Sequence, residues 1–274
     1  MSDPMNHSGV RPLALVTGAS SGIGLELARL FAENDFDLII AAEDEAITRV
    51  AGQLEDEGIT VDSVQVDLAT GRGVEELYQH VLDAGRPLDA AAFNAGVGAG
   101  GAFTDTDLAD ELNIIDLNVR STVHLSKYVV RDMVRHGSGR ILYTSSIAST
   151  MPGSFQAIYN ASKSFVQSFA MALRNELKDS DVTVTSLMPG PVDTEFFERA
   201  DMLDTSVGAG DKDDPVDVAR DGFEAMMDGK ERVVSHSLKS KLQGIGSRVL
   251  PDSVKAEMHR KQAEPGSADE PEAS

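Results

Sequence analysis

Short apolar runs alternate with longer amphipathic segments along most of this chain. LALVTG (13–18), DLIIAA (37–42), TVDSVQVDL (60–68), LDAAAFNAG (88–96), RILYTSS (140–146) and VTVTSLMPG (182–190) have strand length, and ERVVS (231–235) reads as a last strand. GLELARLFAEN (24–34), AITRVAGQLEDEG (46–58), GVEELYQHVLDAG (73–85), the stretches 107–136 and 157–178, and DVARDGFEAMM (217–227) space their apolar residues as helices do. Strand-length runs separated by helix-length segments predict βαβ units and a parallel sheet covered on both faces. Because such crossovers are right-handed, the pattern predicts an α/β fold with one doubly wound parallel sheet of about seven strands, in a single domain.

Four segments fall outside that alternation. Residues 1–11 read as a flexible arm, leaving the domain proper at 12–236. Residues 195–215, EFFERADMLDTSVGAGDKDDP, form a mixed stretch whose length marks it as functional, and it is expected to be a lid over a substrate. The extension 237–262 is locally basic and broken by Gly244, Gly246 and Pro251; helical packing at the sheet edge is expected of it. The tail from 263 to 274 is acidic and apolar-poor, the composition of an unstructured end.

Composition narrows the function classes. The net charge of −21 argues against nucleic acid or an anionic membrane as a partner. No apolar run is long enough to span a bilayer, and the first residues lack the basic start and apolar stretch of a secretory signal. The 274 residues hold no cysteine, which excludes disulfides and thiolate metal sites and suits a reducing compartment, so a cytoplasmic location is expected. No metal site is expected. Arg outnumbers Lys 15 to 9 on an acidic background, a balance that also suits solubility in concentrated salt.

The first strand-to-helix turn reads VTGASSGIGLELA, with Gly18, Gly22 and Gly24 between strand and helix and Ser20, Ser21 and Ile23 among them. Glycines here let backbone approach a pyrophosphate at a helix N-terminus, although glycines also end strands for steric reasons alone. The second strand ends in Glu43 and Asp44 with no basic residue before Arg49. A carboxylate at that position can accept from an adenosine ribose and repels a 2′-phosphate, which favours NAD over NADP. Downstream, YNASK places Tyr159 and Lys163 one helical turn apart on one face. By themselves the two could be surface residues lying over the core.

Together these segments resemble the short-chain dehydrogenase/reductase family over roughly residues 12–236, with its Rossmann-like fold. TGASSGIG (17–24) is similar to its cofactor signature, Asp67–Leu68 to its adenine-contacting pair, and Asn94–Ala95–Gly96 to its sheet-stabilising turn. LNV at Asn118 resembles the catalytic asparagine segment, and YTSS supplies Ser146 at the family spacing before Tyr159. PGPVDT (189–194), with Pro189, Gly190, Val192 and Thr194, resembles the segment that holds the nicotinamide amide, Thr194 being the side-chain donor. Phe93 stands where the family often has Asn, a change of packing that removes no catalytic group.

The resemblance implies an NAD(P)-dependent oxidoreductase that interconverts a secondary alcohol and a ketone. Tyr159 would be the acid/base. Lys163, with the positive nicotinamide ring, would lower its pKa and would hold the nicotinamide ribose, Ser146 would bind the substrate oxygen, and Asn118 would position a relaying water. The lid's seven acids against Arg199 and Lys212 favour a small neutral, apolar substrate contacted by Phe196, Phe197, Met202 and Leu203. The family implies a homodimer or homotetramer built on the helices at 107–136 and 157–178. The rival readings are a cofactor-binding regulator that has lost catalysis, and an epimerase or dehydratase on a related fold.

Overall fold

A computed structural model describes residues 10–234 and 250–269. Seven parallel strands form one sheet: β1 (Leu13–Thr17), β2 (Asp37–Ala42), β3 (Val61–Gln65), β4 (Ala90–Phe93), β5 (Gly139–Thr144), β6 (Val182–Met188) and β7 (Arg232–Val234). Their order is β3-β2-β1-β4-β5-β6-β7, so the direction of winding reverses between β1 and β4, as the doubly wound pattern requires. The central strands are buried on both faces, which is why they read as continuous apolar runs rather than alternating ones.

On one face pack α1 (Gly22–Glu33), α2 (Ala46–Glu55) and, after β6, the helix at Pro215–Met227. Phe31 and Phe223 meet there edge to face, 5.1 Å apart. The other face carries α3 (Gly71–Asp83), α4 (Leu108–Ile115), α5 (Thr122–His136) and α6 (Ala157–Glu176). Their core joins Leu77, Leu125, Met133 and Tyr143. Burying each such large side chain contributes about 1.5–3 kcal/mol. Phe93 lies in this layer, stacked on Tyr143 at 4.9 Å; the departure at that position therefore serves the core.

The stretch 107–136 is not one regular helix. α4 and α5 are joined by a π-helical turn, Asp116–Ser121, that includes Asn118. One-turn π insertions of this kind are frequent at functional sites. The stretch 195–215 is also more ordered than its composition suggests. It holds α7 (Phe196–Arg199) and α8 (Ser206–Ala209) and is tied by a parallel bridge between Val192 and Asp213. The helix at Pro215–Met227, here α9, follows with Pro215 in its first turn and the Asp214 carboxylate accepting from the Val216 amide.

Two expectations for the C-terminal part require correction. The helix α10 (Asp252–Ala263) packs on α8 and the following turn, not along the sheet edge, because Ala263 joins Phe197, Ala200 and Met202 in a third apolar cluster. The tail is built at its start. Ser267–Asp269 form a 3₁₀ turn, the Ser206 amide donates to Ser267 Oγ at 2.9 Å, and the Gly266 and Ala268 amides donate to Asp204. Few apolar residues sufficed because backbone groups supply the contact. The arm 1–9, residues 237–249 of the basic extension and the tail residues 270–274 lie outside the described residues.

Candidate active site

The C-terminal ends of β1, β2, β4, β5 and β6 open into a cleft of about 780 Å³. Open parallel sheets bind ligands at this edge. One half is built by the turn into α1. Gly18 and Gly22 have φ of +67° and +54°, where a side chain would be strained, and a β-carbon on Gly22 would stand 2.9 Å from Thr194 Cγ2. Gly24 serves differently. It is buried with the Gly18 carbonyl 1.9 Å from where its β-carbon would be, so it lets helix and strand approach. No side chain caps the head of α1 at Ser21 and no acid lies in its first turn, leaving N–H groups and positive potential toward the cleft.

The same half is floored by hydrogen bonds between strands. Thr17 Oγ1 accepts from the Asn94 and Ala95 amides at 3.0 and 3.1 Å. Thr144 Oγ1 donates to Asn94 Oδ1 at 3.0 Å. After β2, exposed Glu43 and half-buried Asp44 line the wall, and Ser20 Oγ donates to Asp44 Oδ2 at 2.7 Å. Asp67 and Leu68 line it further out.

The other half gathers Ser146, Tyr159 and Lys163. Ser146 lies two residues after β5 and caps the 3₁₀ turn Ile147–Thr150, its Oγ accepting from the Ala148 amide at 3.1 Å. Lys163 Nζ donates to the Thr144 carbonyl at 3.0 Å and lies 5.9 Å from the Tyr159 ring centre. Pro189, Gly190, Val192 and Thr194 form the facing wall, with Thr194 Oγ1 accepting from the Phe196 amide at 3.3 Å. Phe196 lies against Tyr159, ring centres 5.2 Å apart.

Burial governs both titratable groups. It pushes the Tyr159 phenol up to about 12, with a hydrogen bond to Ser146 pulling the other way. It brings Lys163 down to about 8. The expected lowering of the phenol by its lysine neighbour is therefore not what the residues produce among themselves. The Lys163 ammonium is engaged by the Thr144 carbonyl, and burial is the largest influence on the phenol.

Ile23, Ala95 and Gly96 also line the cleft; of the catalytic and cofactor-binding residues expected from sequence, Gly24 and Asn118 do not. Asn118 is buried behind the wall. Its amide donates to the Val97 carbonyl at 2.9 Å and to Ser162 Oγ at 3.0 Å, and its Oδ1 accepts from the Val97 amide at 2.9 Å. In the stretch 195–215, Phe196 and Phe197 reach the cleft, whereas Met202 is fully buried in the third cluster and Leu203 faces solvent. Sequence reasoning missed Ser162, Gln156 and His259, whose places depend on tertiary packing; Asp44 carried the same signal as Glu43.

The family model for short chain dehydrogenase matches residues 12–202. This chain belongs to the short chain dehydrogenase family. As a member it is an oxidoreductase. An uncharacterized oxidoreductase of Staphylococcus saprophyticus is 32% identical over 216 residues, covering 78% of this chain and 90% of the relative. A family structure from Burkholderia phymatum in complex with NAD is 26% identical with a TM-score of 0.78, covering 87% of this chain and 94% of that one. A short-chain dehydrogenase from Sphingobium yanoikuyae in complex with NADPH is 25% identical with a TM-score of 0.76, covering 88% and 96%. The family model ends at residue 202, between α7 and α8, so α10 and the turn after it lie beyond it. No described helix is long and apolar enough to cross a membrane.

Proposed function

We propose that this oxidoreductase interconverts a secondary alcohol and a ketone, with a nicotinamide dinucleotide as its cofactor and Tyr159 as its acid/base. The observation that carries the reading is the meeting of Tyr159, Ser146 and Lys163 in one cleft with the glycine turn at the head of α1. The residues fit such a cofactor: the uncapped amides of α1 suit its pyrophosphate, and Gly18 and Gly22, with no side chain, leave room for it. When bound, the dinucleotide supplies the carbon that gives or takes hydride.

At neutral pH a phenol pushed up to about 12 holds its proton, which suits donation to a carbonyl oxygen in reduction. In oxidation Tyr159 must instead take the alcohol proton, and the Lys163 charge, once released from the Thr144 carbonyl, favours the phenolate that does so. Ser146 donates to the same substrate oxygen. Asn118 fixes the Gly96–Val97 backbone beside Lys163. The carboxylates of Glu43 and Asp44 at the end of β2 favour NAD over NADP. Phe196, Phe197 and Met151, with acids at the rim and Arg199 paired to Glu195 at 2.6 Å, favour a neutral, largely apolar substrate. Exposed Leu108, Leu112, Val123 and Phe165 on α4, α5 and α6 support assembly into a homodimer or homotetramer, which light scattering tests.

A spectrophotometric screen of alcohols and ketones with both nicotinamide cofactors tests the reaction. Tyr159→Phe is expected to lower turnover by about 10²–10⁴-fold while nucleotide affinity is kept. Undiminished turnover would remove Tyr159 from its role.

A further inference from the structure

α10 brings a histidine into the substrate half of the cleft. His259 lines the cleft yet is only 7% exposed. Its Nδ1 meets the Ser154 carbonyl at 3.0 Å. A carbonyl can only accept, so Nδ1 carries the hydrogen, and in the neutral ring Nε2 is left as an acceptor. Nε2 has no partner among the described residues.

The docking is specific. Ser154 also donates its hydroxyl to the Ala256 carbonyl at 3.0 Å, so one residue ties α10 at two points. The next residue, Phe155, has φ of +63°, held by the Gly101 amide donating to its carbonyl at 2.9 Å, and Arg260 stacks on its ring at 5.1 Å. A non-glycine residue kept in this region marks a place where the surroundings over-determine the backbone, as they do at ligand clamps.

We propose that His259 selects substrates that carry a hydroxyl remote from the reacting carbon, accepting that hydroxyl's hydrogen bond at Nε2. The inference rests on the alcohol–ketone reading above and narrows it to hydroxylated, uncharged substrates. A neutral imidazole acceptor gives nothing to a carboxylate, and Asp105, Asp107, Asp110, Glu195 and Asp201 around the cleft oppose one. Burial keeps the ring neutral by lowering its pKa. A substrate lacking the donor would leave Nε2 buried and unpaired, and sites built this way discriminate against the missing hydroxyl.

The test compares acetophenone and 4-phenylbutan-2-one with their meta- and para-hydroxy derivatives, in the wild type and in His259→Phe and His259→Gln. The wild type is expected to prefer at least one hydroxy ketone over its parent by about tenfold in kcat/KM. That ratio should fall to about one in His259→Phe, which fills the space without an acceptor, and be partly kept in His259→Gln. Histidine ¹⁵N spectra of the wild type give a readout independent of variants and turnover. The unprotonated Nε2 resonance should move with the preferred hydroxy ketone and not with its parent. A wild type that reduces the parents but shows no preference, or a preference that survives His259→Phe, overturns the role of His259 and leaves the ketone reading standing. A wild type that reduces none of these ketones while failing the broader alcohol and ketone screen overturns both.

Discussion

Replacing Lys163 by methionine separates the stability of this protein from its activity. Lys163 is 6% exposed, and burial lowers its pKa from the ordinary 10.5 to about 8. Below pH 8 the lysine is charged in both folded and unfolded chains, and the folded chain bears the full desolvation penalty, on the order of 3 kcal/mol at about 1.4 kcal/mol per pH unit. Between about pH 8 and 10.5 the unfolded chain keeps a proton that the folded chain has released, so wild-type stability rises with pH and the penalty fades. Methionine has similar volume and no charge, but it gives up the 3.0 Å bond to the Thr144 carbonyl, a loss of about 1–2 kcal/mol. Lys163→Met should therefore be more stable than wild type by about 1–2 kcal/mol at pH 7. Its advantage should shrink by about 1.4 kcal/mol per pH unit above 8. Urea unfolding of both proteins at pH 7, 8, 9 and 10 measures this, since titrations the two share cancel in the difference. The same variant should be without useful turnover. A stability difference that stays constant from pH 7 to 10 would refute the reasoning.

Four further outcomes follow from the geometry. Gly24→Ala puts a β-carbon 1.9 Å from the Gly18 carbonyl and should cost about 2 kcal/mol or more, read by thermal unfolding. Asp44→Asn keeps an acceptor for Ser20 and removes one negative charge, so the NADP-to-NAD ratio of kcat/KM should rise about five- to tenfold in steady-state assays. Deleting residues 264–274 removes the bonds of Gly266, Ser267 and Ala268 to Asp204 and Ser206, and KM should rise several-fold, by about three to ten, with a smaller change in kcat. The acidic, lysine-poor surface predicts a higher melting temperature in molar KCl than in dilute buffer, and equal values in scanning calorimetry would count against it.

The seven strands could be read because β1, β2 and β4 are buried along their whole length and apolar except for Thr17 and Asp37 at their ends, the signature of a sheet covered on both faces. The site was legible where chemistry depends on local spacing, as with Tyr159 and Lys163 on one helical turn or the glycines at the head of α1. It was not legible where a residue's role depends on distant partners. His259 meets Ser154 across 105 positions of sequence, on a helix whose exposed faces are crowded with charge. Asn118 reads as a mid-helix polar residue until the π turn sets it against Val97 and Ser162. Spacing shows the cation near Tyr159 but neither the burial that raises the phenol's pKa nor the Thr144 carbonyl that engages Lys163.

The third apolar cluster has a consequence for engineering. Phe197, Ala200 and Met202 come from one stretch of chain and Ala263 from another some sixty residues on, yet they close a small core apart from the two that flank the sheet. Chimeras that import a relative's 195–213 alone would bring three of those four residues and leave α10 without its mate. Grafts carrying both stretches should transfer substrate preference intact, with the nucleotide-binding half left as it is.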